Sequence, residues 1–309
     1  MVFSQRPVGA RVSAMAHVLI HACAIDDLAC EQQSLPLEIG AALERHLAYA
    51  RFGALLPDLP TFGDFAPRAV ARLAGRPPVQ STFATLLHNG APVAVGLRLC
   101  ELVSKVSFVG RGPGLAVIAG YFSHIAVDRA LRAPVHDLVR RAKVMGEHPR
   151  VTLLRVEKIQ ALFHLRKQTG RDVAGWPGVI DRLRVLKRDG FPFRGIGAGL
   201  HLLVQRACLD TVGPAPRKRE LDRWVQGLYL YARLLGSPAG RYLGLPEDAL
   251  GLRPMLFDGP EMDFEKLYEA SLARSRHHVG LAYEYLTEGD FSRGAREQFF
   301  SELPEGSIA

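Results

Sequence analysis

In the stretch from Gly120 to His136, His124 and Asp128 stand four residues apart among mostly apolar neighbours. On a helix that spacing stacks an imidazole over a carboxylate on one face, close enough for both to touch a single ion. A hydrogen-bonded His–Asp pair inside a helical core is the alternative reading of the same spacing. Either way, a buried ionisable pair requires a partner or a metal. His17 and His21 repeat the four-residue spacing and could chelate an ion by themselves. Asp58 lies between Pro57 and Pro60, where the helical ladder cannot continue. It is therefore a carboxylate held on a stiffened corner, or a helix-capping aspartate. His88 precedes Asn89 and Gly90 at an expected helix end, placed to reach a neighbouring helix or to lie on the surface. His136 follows the expected break at Pro134, and Glu157 belongs to a later helix with His164 seven residues on. That separation is about 10 Å along the axis, so Glu157 and His164 cannot share one ion.

His17, Asp58, His88, His124, Asp128, His136 and Glu157 form an inventory of nitrogen and oxygen ligands on separate elements, as a catalytic metal site in a helical bundle needs. Histidine content favours zinc, while iron or manganese would use similar ligands. Such an ion draws the pKa of bound water toward neutrality and can stabilise a phosphoryl displacement. Four cysteines, Cys23, Cys30, Cys100 and Cys208, have neither CxxC spacing nor disulfide-rich density, and read as apolar residues in a reducing compartment.

The elements that must carry these groups read as helices. The chain has 309 residues, is rich in Ala, Leu, Arg and Glu, and has few alternating β-branched runs, which predicts an all-α protein. Helices are expected over Ala16 to Glu31, from Pro36 onward, over Phe65 to Leu73, from Ser81 to about Asn89, and from Pro92 to about Ser107. The central helix is expected to break at Pro134, and a long helix to cover Val151 to Thr169. Further helical stretches follow around Trp176 to Lys187, Gly197 to Val212, Arg217 to Leu235 and Met262 to Glu288. Gly110 to Gly114 is glycine-rich, but no strand precedes it, so it reads as a turn rather than a dinucleotide fingerprint. Eight of the eleven histidines precede Gly170. The chemistry is thus expected in the first half, with the second half as scaffold, lid or partner surface. His277 and His278 read as an exposed helix face.

The formal charge of +8 suits phosphate esters, nucleic acid or an anionic membrane surface, although an Arg-rich composition gives the same sign. No aromatics interleave the basic groups, so sequence-specific nucleic-acid recognition is not expected. The apolar run from Arg11 to Ala24 is interrupted by His17 and His21, which favours an uncleaved helix over a signal peptide. With no segment approaching a membrane span, a cytoplasmic protein is expected.

The succession Ala16-His17-Val18, Arg51 through Asp58, Leu87-His88, Gly120 through Asp128 and Val156 through Gln160 resembles the zinc-dependent phospholipase C family. The resemblance covers roughly Ala16 to Gly175. It implies an all-α bundle of the phospholipase C and single-strand nuclease type, with a metal-site core over 1–175. The remainder, 176–309, is then a helical extension packed on that core, or part of one continuous domain. It further implies one to three zinc ions and hydrolysis of a phospholipid-type phosphodiester, with peripheral contact to an anionic membrane. Carried across, His88, His124, Asp128 and Asp58 hold the first zinc, and Asp58 is also the general base. His17 belongs to a second ion near Asp128, and His136 and Glu157 to a third. Leu153 stands where the family has a histidine partner for Glu157, so the third site looks eroded. The alternatives are a weakened or inactive scaffold that binds metal, lipid or a partner, and a nuclease-like activity on single strands.

Overall fold

The computed structural model describes residues 17–65, 67, 81–105, 108–144, 149–171, 177–186, 196–238, 249–259 and 262–306. Among these the fold is an all-α multi-helix bundle, with one two-residue hairpin, Asp258–Gly259 against Met262–Asp263. The helices are α1 (Val18–Cys30), α2 (Leu37–Leu55), α3 (Thr82–Asn89), α4 (Pro92–Lys105), α5 (Arg111–Val144) and α6 (Pro149–Thr169). They continue with α7 (Gly178–Arg182), α8 (Ala198–Thr211), α9 (Lys218–Leu235), α10 (Ala249–Leu256), α11 (Phe264–Glu288) and α12 (Arg293–Glu302). Most of the helix expected over 65–73, together with His148 and Trp176, lies outside the described residues.

α5 is the axis of the bundle. α2 packs along one side of it and α11 along another, while α1 closes against α2. The α2–α5 contact is close because two glycines meet backbone to backbone there. A Cβ on Gly53 would sit on the carbonyl oxygen of Val117, and one on Gly120 would sit on that of Ala50. Only residues without side chains allow helix axes this near. The core that results is continuous, running from Leu19, Ile25 and Leu43 through Phe52, Tyr121 and Phe122 to Val279 and Leu286.

The expected break at Pro134 does not occur, and α5 runs through it to Val144. Proline at this position removes one backbone donor and crowds the carbonyl one turn back. Here that turn has reached the surface, with Ala133 exposed and Ala130 and Pro134 half-buried. Water can therefore serve the orphaned carbonyl, and the helix continues. His136 consequently sits within α5 rather than in the first turn of a new helix.

The later helices supply walls to the earlier ones. α9 packs against the 3-10 turn Leu59–Phe62 that follows Asp58. A Cβ on Gly227 of α9 would collide with the Phe62 carbonyl, and Trp224 lies against Gly63. At the far end, the Glu305 carboxylate accepts hydrogen bonds from the Val93 and Ala94 amides at 3.0 and 2.8 Å, capping α4. Beside it, Arg129 donates to the Pro304 carbonyl at 2.6 Å, tying the tail to α5. No helix among the described residues is long and apolar enough to cross a membrane.

Candidate metal centre

Five side chains from four segments meet inside the bundle: His21, Asp58, His88, His124 and Asp128. Their ligand atoms form two groups that could hold a metal ion, His21 with His124 and Asp128, and Asp58 with His88 and His124.

α5 contributes the first pair. His124 and Asp128 share a helix face as their spacing requires, with Nε2 3.2 Å from Oδ2. The His124 Nδ1 atom lies 2.7 Å from the Ala54 carbonyl of α2. That contact depends on the glycine crossing, since Gly53 precedes Ala54 and Gly120 is one turn before His124. A carbonyl can only accept, so Nδ1 carries a proton and Nε2 is the nitrogen that faces the carboxylates, with a lone pair in the neutral ring and an N–H in the charged one. His88, in the last turn of α3, is arranged alike, with Nδ1 2.7 Å from the Ala84 carbonyl.

Asp58 comes from the turn after α2. Its backbone is held by its own amide to the Leu55 carbonyl at 2.9 Å and by the Thr61 amide and hydroxyl to its carbonyl at 2.9 and 2.7 Å. The side chain caps nothing, although the residue occupies an N-cap position. Instead Oδ1 lies 3.3 Å from His88 Nε2 and Oδ2 lies 3.8 Å from His21 Nε2. His21 approaches from α1, its Nε2 3.2 Å from Asp128 Oδ1 and its ring stacked on His124 with centroids 3.9 Å apart.

These separations fit a metal. Zinc bonds of about 2.0–2.1 Å in a tetrahedron put neighbouring ligand atoms about 3.3 Å apart. His88 Nε2 and His124 Nε2 are 3.2 Å apart, and His88 Nε2 is 3.7 Å from Asp128 Oδ2. The ring nitrogens of His21 and the oxygens of Asp58 are buried, and among the described residues they have no polar partner outside these imidazole–carboxylate contacts. Burial alone would push the Asp58 carboxyl up, but the His88 hydrogen bond and the charges of His124, His21 and His88 outweigh it and leave it lowered. At Asp128 burial is again outweighed, by His124 and His21, and the carboxyl is held far below its ordinary range. Two carboxylates that stay ionised in an apolar interior require compensating positive charge, which protons on the imidazoles or a divalent cation can supply.

Of the residues expected at the site, Asp58, His88, His124 and Asp128 are thus brought together. The other three belong to neither group of ligand atoms. His17 is the N-cap of α1, its Nδ1 accepting from the Leu19 amide at 3.4 Å and its Nε2 lying 3.1 Å from the Tyr231 hydroxyl. Burial, the Lys158 charge and His21 lower its pKa to about 4 against the opposing pull of Asp58, so the ring is neutral. His136 lies half-buried near the surface end of α5 between Arg132 and Arg140. Glu157 is buried in α6, and Leu153, one turn earlier, is a core residue.

His21 is the residue the sequence reading missed as a member of this cluster. A helical phase separates it from His17 only weakly, because α1 is buried from Val18 to Ile25 and shows no polar face. The available signal was burial itself, since an imidazole with apolar residues on every side needs a polar partner. His164 pairs with Glu265, Nδ1 to Oε1 at 2.9 Å. His278 is buried against α5, whereas its neighbour His277 is exposed, which corrects the reading of the two as one exposed face.

No protein-family model, no curated protein and no solved structure matches this chain.

Proposed function

We propose that the protein is a metal-dependent phosphodiester hydrolase of the phospholipase C kind, with zinc held by Asp58, His88, His124 and Asp128 and with His21 alongside. One observation carries the metal-centre reading. His88 and His124 each place Nδ1 against a backbone carbonyl and direct Nε2 at two ionised carboxylates, at separations matching the edges of a tetrahedral site. The ordered resemblance from Ala16 to Gly175 and the +8 charge support an anionic phosphodiester as substrate.

When bound, such an ion supplies Lewis acidity, making water a nucleophile near neutral pH and drawing charge from a phosphoryl oxygen. The chain's own groups divide the remaining work. His88 and His124 fix the ligand field because their outer nitrogens are already committed to Ala84 and Ala54. Asp58 has the least enclosed side chain of the five, 6% exposed against 0–1% for the others, which makes it the ligand nearest to entering reactants. Its Oδ2 is the more distant oxygen from its imidazole neighbours and takes the proton of the attacking water. The apolar walls from α1, α2 and α5 exclude bulk solvent behind the site, which strengthens every charge interaction inside it.

Elemental analysis of protein purified without added metal is expected to return at least one zinc per chain, with the content falling in His124→Ala. Hydrolysis of a chromogenic phosphocholine ester is expected to exceed that of single-stranded DNA. A metal-free preparation that cannot be loaded with zinc overturns the centre, and faster cleavage of the DNA overturns the choice of substrate.

A further inference from the structure

The hydrogen bonds around His17 form a directed chain that ends on Tyr231. The Leu19 amide donates to His17 Nδ1, so that nitrogen carries a lone pair and the neutral ring keeps its proton on Nε2. Nε2–H then donates to the Tyr231 oxygen at 3.1 Å. A phenol whose oxygen accepts still has its own O–H to give, and the hydroxyl's one hydrogen bond among the described residues is the one to His17.

Tyr231 also belongs to the surroundings of the Asp58 turn. Its ring packs against Phe62 and Phe65, with centroids 5.4 and 5.7 Å apart, on the turn that leaves Asp58. His17 is near enough to Asp58 and His21 to feel both electrostatically. Asp58 has the least enclosed side chain of the five, and the half-buried Tyr231 packs on the turn that follows it.

We propose that Tyr231, oriented by His17, donates its hydroxyl proton in a hydrogen bond to a non-bridging oxygen of the phosphoryl group bound at the metal centre. The inference rests on the phosphodiesterase reading and deepens it, assigning a substrate contact to α9 in the second half of the chain. His17 is then a positioning residue rather than a metal ligand. A hydroxyl donor facing a charged oxygen is preferred to water because its direction is set in advance by His17.

The test is calorimetric titration of inorganic phosphate into the zinc-loaded full chain, in parallel with zinc titration of the metal-free protein. Tyr231→Phe is expected to weaken phosphate binding roughly tenfold to a hundredfold and to leave zinc stoichiometry and affinity unchanged. His17→Ala is expected to give a similar loss, and the double variant no further loss, because the two act as one unit. If wild-type zinc protein binds phosphate and Tyr231→Phe binds it equally well, this inference is overturned while the hydrolase reading stands. If His17→Ala lowers the zinc stoichiometry, His17 is a ligand and the directed chain is wrong. If the zinc-loaded wild type has no affinity for phosphate, the hydrolase reading fails and the inference with it.

Discussion

His88 and His124 face each other through their Nε2 atoms at 3.2 Å, each with Nδ1 fixed on a backbone carbonyl. Two neutral imidazoles in that arrangement bring lone pair to lone pair, so something positive has to lie between them. A proton can do this, and so can a divalent ion, which makes the two competitors for one place.

Zinc uptake is therefore expected to release protons. At His88 burial would lower the pKa, but the Asp58 hydrogen bond, the Asp58 and Asp128 charges and the Ala84 carbonyl outweigh it and raise it. The metal-free protein holds a proton there below that raised pKa, and zinc must expel it. Affinity should climb with pH through this range and level off above it. Calorimetry in buffers of different ionisation heat reads the released protons directly, and an affinity flat from pH 5.5 to 8 would count against the assignment.

Gly120→Ala should damage both the fold and the centre. The added Cβ collides with the Ala50 carbonyl and forces α2 and α5 apart, at a cost of about 1–3 kcal/mol. The same shift draws the Ala54 carbonyl away from His124 Nδ1, now 2.7 Å apart, and loss of such an outer partner weakens metal binding about 10- to 100-fold. Gly280→Ala is the control, because a Cβ there meets nothing within 4 Å. Urea unfolding and chelator competition on the two variants should separate them, and equal behaviour would dismiss the glycine crossing as the cause.

His278 should make the fold acid-sensitive. Burial, then Arg129, His277 and Arg274, lower its pKa to about 3 against the opposing Phe122 carbonyl. The unfolded chain takes up this proton near pH 6.5 and the folded protein only near 3, so stability is lost as pH falls through that window. Between pH 7 and pH 5 this one group should remove about 2 kcal/mol. In His278→Gln that share of the loss should vanish when unfolding free energies are compared at the two pH values, and an undiminished acid limb would refute it.

The parts of the centre that were legible in the sequence are those with a local reason to be where they are. Asp58 is bracketed by prolines, His88 closes a helix before glycine, and His124 and Asp128 share a face through simple periodicity. The all-α fold followed from composition for the same reason, since helix propensity is local. What could not be read depends on contacts between distant segments. His21 and His17 have the same spacing logic, and only the packing of α1 in the bundle decides that His21 faces the carboxylates while His17 meets Tyr231. Pro134 carries a local rule for breaking helices, and its position at the bundle surface overrides it.

The seating of the Asp58 turn on α9 has a temporal consequence. Trp224, Gly227 and Tyr231 are made more than 150 residues after the aspartate whose turn they support. During synthesis the four ligand-bearing segments emerge first and must wait, with one of their carboxylates still lacking its floor, until the ribosome has passed the tyrosine.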